Sequence, residues 1–256
     1  MHRTSSFVRS VFNWSRALTN TPGFSRGARC ALLAGAACCI SACGGTDPKP
    51  KNEVVVGEGP LLPFTEGNQW TYRVTDGASI TDKTTTIGGL EAIGGSGPHA
   101  ADMAYKVVTR KGADLADQTE SWQAPSAESP DRVLRFREIS YGATTQMPKL
   151  DTYWDPSKLH IDGREEVLVS DYTWLETYDE TKIPYDGSPT TTGTQSDRWT
   201  IISLDESLTV AGKRYDHAIH FRKFSTAAKE YWYLRGVGKL KETGTQTEEL
   251  VSFSLN

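Results

Sequence analysis

Gln69-Trp70-Thr71-Tyr72-Arg73-Val74-Thr75 decides how this chain folds. Trp70, Tyr72 and Val74 fall on every second position, with Thr71, Arg73 and Thr75 between them. Successive side chains of a strand point to opposite faces, so the stretch reads as a strand with one buried and one wet side.

Outward from there the pattern recurs. Met103 to Arg110 alternates with Met103, Tyr105 and Val107 inward, and further strands are expected at 81–87, 118–123, 132–141, 166–173, 198–204, 215–224, 229–234 and 247–255. Residues 88–101 hold too much Gly and Pro for the interior of an element and read as a loop, as do residues 190–196. Short strands without a 3.6-residue stripe or a strand–helix rhythm predict a mainly β fold, an antiparallel meander curled into a sandwich or an open barrel.

The first 42 residues have a different texture, that of a disordered or helical signal segment. They carry Arg3, Arg9, Arg16, Arg26 and Arg29 with no acidic residue, then an apolar run from Cys30 to Ile40. Eleven residues make roughly 17 Å of helix against about 30 Å of bilayer hydrocarbon, so the run does not span a membrane. The run ends in Ile40-Ser41-Ala42-Cys43, which resembles a bacterial lipobox. The resemblance implies cleavage between Ala42 and Cys43, acyl chains on Cys43, and the membrane as a partner through those chains. Two or three chains anchor a protein almost permanently, where one does so marginally. Among lipoproteins, Gly44 in place of aspartate after the cysteine implies the outer membrane. A plain secretory signal would also place small residues at the cut, but it gives no reason for the cysteine.

Residues 1–42 are thus expected to be a lipoprotein signal peptide, 43–59 the lipidated cysteine and a flexible Gly/Pro/Lys-rich tether, and 60–256 a single β-rich domain. All four cysteines (Cys30, Cys38, Cys39, Cys43) lie at or before the cut, leaving no thiol chemistry or disulfide for the domain. Removing the five arginines leaves 23 basic against 32 acidic residues, a formal charge of −9. That sign gives no electrostatic footprint for nucleic acid.

Two further segments resemble a group of exported bacterial β-domains. One is Gly67-Asn68-Gln69-Trp70-Thr71-Tyr72, similar to a G-N-x-W-x-Y opening strand; the other is Tyr231-Trp232-Tyr233 followed by Gly236-Val237-Gly238. The resemblance implies an aromatic strand, a Gly-Val-Gly turn and a final strand, and brings no catalytic residue with it.

Motifs for chemistry are few. His217 and His220 are three apart, which on a strand sends them to opposite faces rather than to one metal ion. Gly89 to Ser96 has Gly95 where a phosphate loop needs lysine, and no Gly-x-Ser-x-Gly elbow occurs. No metal or cofactor is expected. Aromatic rings gather between Tyr153 and Tyr185, interleaved with acids, and Trp154, Trp174, Tyr178 and Tyr185 form a candidate ligand surface. Plain core packing explains the same rings. The expectation is a non-catalytic binding or interaction module for an envelope glycan, a hydrophobic ligand or a protein partner. The alternatives are a hydrolase using Asp151 with Asp155 or Glu176 with Asp179, and a passive scaffold with a filled core.

Overall fold

A computed structural model describes residues 59–112, 117–142 and 147–256. The signal segment, the cleavage site Ala42–Cys43 and the tether up to residue 58 lie outside the described residues. Twelve strands follow one another: β1 (Gln69–Asp76), β2 (Ser79–Ala92), β3 (Met103–Lys111), β4 (Asp117–Pro125), β5 (Arg132–Tyr141), β6 (Pro148–Asp162), β7 (Thr173–Pro184), β8 (Thr191–Val210), β9 (Lys213–Phe224), β10 (Ala228–Leu234), β11 (Gly238–Thr243) and β12 (Thr247–Ser254). Each pairs antiparallel with its sequence neighbours, and β12 returns to β1 through Gln69↔Ser254 to Thr75↔Thr247. The expected meander is present, and its curl runs to completion in a closed barrel, which leaves no free sheet edge.

Alternation sets which side chains fill the interior. Trp70, Tyr72 and Val74 are buried from β1, and Val133, Ile161, Ile201, Phe221, Leu240 and Leu250 are fully buried from the other walls. The β1–β2 register pairs Asp76 with Ser79, which leaves a two-residue turn whose Gly77 sits at φ +56°. Glycine takes that left-handed conformation without the penalty a Cβ brings.

Because strand direction alternates, the hairpins after β1, β3, β5, β7, β9 and β11 all lie at one end of the barrel. The other end receives the chain from residue 59 and is plugged. Leu61 and Leu62 are buried there with Leu234 and Val237, Gly236 donates its N–H to the Pro60 carbonyl at 3.0 Å, and the Trp70 indole donates to the Val237 carbonyl at 2.6 Å. Gly238, at φ +104°, lies so close beneath the Trp70 ring and Leu62 that an added Cβ would come within 3.1 Å of the indole nitrogen.

A smaller core lies outside the barrel wall. Ile93, Ala104, Trp122 and Ile139 are buried beneath the 93–102 loop. The loop is tied down by an Arg137–Asp151 pair (2.9 and 2.7 Å), by Arg137 donating to the Ile93 carbonyl (2.8 Å), and by Tyr153 bridging Asp151 and the Ser96 N–H.

That outer core explains where alternation misleads. β6 is buried on both faces between Asp151 and Trp154, so its sequence shows no two-residue period. The expected strand at 166–173 is instead a run of hydrogen-bonded turns from Arg164 to Tyr172, with Asp171 at φ +62°, and the strand begins only at Thr173. Residues 190–196, expected to be a loop, belong mostly to β8. There it is polar on both faces and held to β7 by hydroxyl pairs, Thr181–Thr192 at 3.0 Å and Thr177–Ser196 at 3.3 Å. Of the 88–101 loop, the part up to Ala92 extends β2.

Candidate binding lumen

Above the plug the barrel is not filled. A cavity of about 440 Å³ occupies the upper lumen and reaches the β9–β10 hairpin at Ser225 and Ala227. Thr85, Thr109, Thr119, Ser121 and Gln123 give one arc of its wall, from β2 to β4, a surface of hydroxyls and an amide. Trp199, Tyr231 and Tyr233 give the opposite arc. Trp199 lies between Trp174 (6.0 Å, 7° between planes) and Tyr231 (5.8 Å, 29°), and Tyr172 continues the stack beyond Trp174.

Six cations line this space: Lys83, Arg135, Lys158, Lys223, Lys229 and Lys239. Four carboxylates answer them closely. Lys239 sits 2.6 Å from Glu242 and 2.8 Å from Glu248, Lys229 is 2.9 Å from Glu242, and Lys83 also pairs with Glu248. Lys223 is 2.6 Å and Lys158 3.9 Å from Asp197, and Arg135 is 3.0 Å from Glu138. A fifth acid, Glu176, is half-buried and accepts the Leu159 N–H; burial pushes its pKa up. Glu180, nearer the rim, is matched by Lys182. The lumen therefore holds more positive than negative charge, within a domain whose overall sign is negative.

The titration of these groups follows from that imbalance. Burial and then the neighbouring Lys239 bring Lys83 down to about 8, and burial and then Lys223 bring Lys158 down to about 8. Burial alone would lower Lys239 as well, but Glu242 and Glu248 hold it well above the usual lysine value. The reciprocal effect keeps Glu242 and Glu248 low despite their burial. Burial raises the phenols of Tyr72, Tyr231 and Tyr233, so all three stay neutral and able to donate. His160 is pushed far down by burial and by Arg135, whose guanidinium lies 3.1 Å from the imidazole Nδ1.

The four ring residues singled out from sequence are distributed along this wall and beyond it. Trp154 and Tyr178 are buried and bracket Lys158, whose ammonium lies 5.4 Å and 4.9 Å from their ring centres. Trp174 belongs to the stack that ends on Trp199 and Tyr231. Tyr185 stands apart, half exposed beyond the end of β7. Of the acid pairs, Asp151 is engaged by Arg137 in the outer core, while Asp155 is exposed near His99. Glu176 faces inward and Asp179 takes the Thr194 hydroxyl (2.6 Å) on the outer face. His217 meets Asp205 at the surface, whereas His220 stacks on Trp232 and meets Glu206 and Glu230.

The lumenal lysines belong to no motif, yet the sequence carries their signal. Lys83 shares strand parity with Thr85 and Ile87, Lys223 with Phe221, and Lys229 with Tyr231 and Tyr233. A lysine on the inward side of an alternating strand is the mark of a polar lumen.

No family model matches the chain, and no curated protein matches it in sequence. Two solved structures resemble it. One is a protein from Bacteroides fragilis NCTC 9343 described as exported and of YmcC-like fold, 7% identical, TM-score 0.44. The other, from Parabacteroides distasonis ATCC 8503 and described as a lipoprotein, is 10% identical with a TM-score of 0.35. Each match covers 77% of this chain and 100% of the other. Likeness this distant says nothing about ligand or activity.

Proposed function

We propose that this chain is a lipid-anchored cell-envelope protein of the outer membrane that acts by binding, not by catalysis, and that its ligand enters the barrel lumen. The observation that carries the reading is the unfilled upper lumen, walled by aromatic rings, hydroxyls and cations. A protein built only as a scaffold gains stability by filling such a space, since interiors close-pack. About 440 Å³ falls within the size range of small-molecule sites. The carboxylate pairs that a hydrolase would use have separate partners: Asp151 is held by Arg137, and Glu176 and Asp179 lie on opposite faces of β7. The anchor rests on the resemblance of Ile40 to Cys43 to a lipobox.

The test uses the full chain expressed in its host. Wild type should partition with outer membranes and Cys43→Ala should not. Native mass spectrometry of the wild type should show a small molecule that is absent from Ser121→Phe, in which a ring fills the lumen. An empty wild-type barrel, or a molecule retained equally by Ser121→Phe, would refute binding in the lumen. Membrane partition of Cys43→Ala would refute the anchor.

A further inference from the structure

We propose that the lumen selects a small organic anion with a flat ring body, its charged group seated between Lys158, Lys223 and Arg135 and its ring against Trp199 and Tyr231. This rests on the reading of the lumen as a ligand site and names what that site takes.

Lys158 and Lys223 share a single carboxylate, Asp197, at 3.9 and 2.6 Å. The long contact belongs to Lys158, whose charge rests mainly against the rings of Trp154 and Tyr178. Asp197 takes the Tyr178 hydroxyl and both lysines on one oxygen, Oδ2. Its other oxygen and Glu176 Oε2 are buried and find no hydrogen-bond donor among the described residues, and the buried Nε of Arg135 and Nε1 of Trp199 likewise find no acceptor. Buried polar groups are normally satisfied, so unmet donors and acceptors among these cations describe a place for a ligand whose anionic group takes the donors and whose hydroxyl, or a bridging water, meets the acceptors. Trp199 and Tyr231, stacked on one another, line the space beside these cations. The preference is local, because the domain's net negative charge repels anions at long range.

A matched pair of dyes separates the charge from the body. Anilinonaphthalenesulfonate and phenylnaphthylamine share their rings and differ by the sulfonate. Fluorescence titration of the purified full chain should show the sulfonate binding at least about tenfold more tightly, as befits a charge-assisted hydrogen bond. Lys158→Met should erase that preference while leaving the neutral dye unchanged, with circular dichroism verifying the fold. Displacement of the sulfonate by benzoate or by phenyl phosphate then identifies a carboxylate or a phosphate as the preferred group. Equal affinity for the two dyes, both blocked by Ser121→Phe, would overturn the anion proposal and leave the lumen as a site for neutral ligands. Dye binding indifferent to Ser121→Phe, or no binding at all, would overturn both.

Discussion

Replacing Lys158 with methionine should make the empty barrel more stable. The folded protein holds this ammonium at a pKa of about 8 against 10.5 for a free lysine, which amounts to a penalty of up to about 3 kcal/mol for keeping it charged at neutral pH. Its side chain is only 23% exposed, so solvent screening removes a limited part of that figure. Methionine keeps most of the stem that lies against Trp154 and Tyr178 but loses two cation–ring contacts, worth about 0.5–1 kcal/mol each. The balance is a gain of about 1–2 kcal/mol, or about 2–8 °C in Tm for a domain of this size. Thermal unfolding followed by circular dichroism at pH 7 measures it. The same melts near pH 10 supply a second check. Lys158 is neutral in the folded wild type there, so the advantage of methionine should shrink toward zero. A lower Tm for Lys158→Met at pH 7, or a gain that persists undiminished at pH 10, would refute the reasoning.

The wild type should show an unusual alkaline profile. Lys83 and Lys158 have folded pKa values near 8 and unfolded values of 10.5, so the unfolded chain binds more protons in that interval and stability climbs from about pH 8. Above about pH 10 the buried phenols of Tyr72, Tyr178, Tyr231 and Tyr233 stay protonated while the unfolded ones ionise, and stability falls; a urea series across pH 7–11.5 tests for the maximum. Toward acid, the depressed Glu242 and Glu248 contribute stability that is present above about pH 4.5 and lost as they protonate, so melts at pH 3 should lie well below those at pH 6. Arg137→Met should lower stability by about 3–5 kcal/mol in urea denaturation, because it leaves Asp151 buried with its charge unmet and frees the 93–102 loop. Gly238→Ala should lower it by about 1–3 kcal/mol, since the position needs a left-handed φ and sits against Trp70; an unchanged melting temperature would contradict this account of the plug.

Legibility in the sequence tracked how many faces of a strand were buried. β1 buries Trp70, Tyr72 and Val74 on one face only, so its period of two was visible, and β3, β5, β9 and β10 were also read to within a few residues, although β3 and β5 bury Ala104, Arg137 and Ile139 on the outer side and Met103, expected inward, is exposed. β6 buries both faces because the 93–102 loop covers its outer side, and that cover comes from residues about fifty positions earlier. The far end of β8 buries neither face, and its Thr-rich run looked like a loop until β7 was beside it. The candidate site was legible only in part. Trp154, Trp174 and Tyr178 stood out as an aromatic group, but Lys158, Lys223 and Arg135 come from three different strands, β6, β9 and β5.

By itself the sequence determined that the domain is built of antiparallel strands, that it carries no thiol, and that its leader resembles that of a lipoprotein. These follow from local periodicity and composition, which a linear chain displays directly. Closure of β12 onto β1, the plug made by Leu61 and Leu62, and the gathering of six cations around one space were decided only by tertiary structure. Each depends on the barrel's register and circumference, which bring together residues as far apart as Lys83 and Glu248. No short-range pattern encodes a distance of that kind.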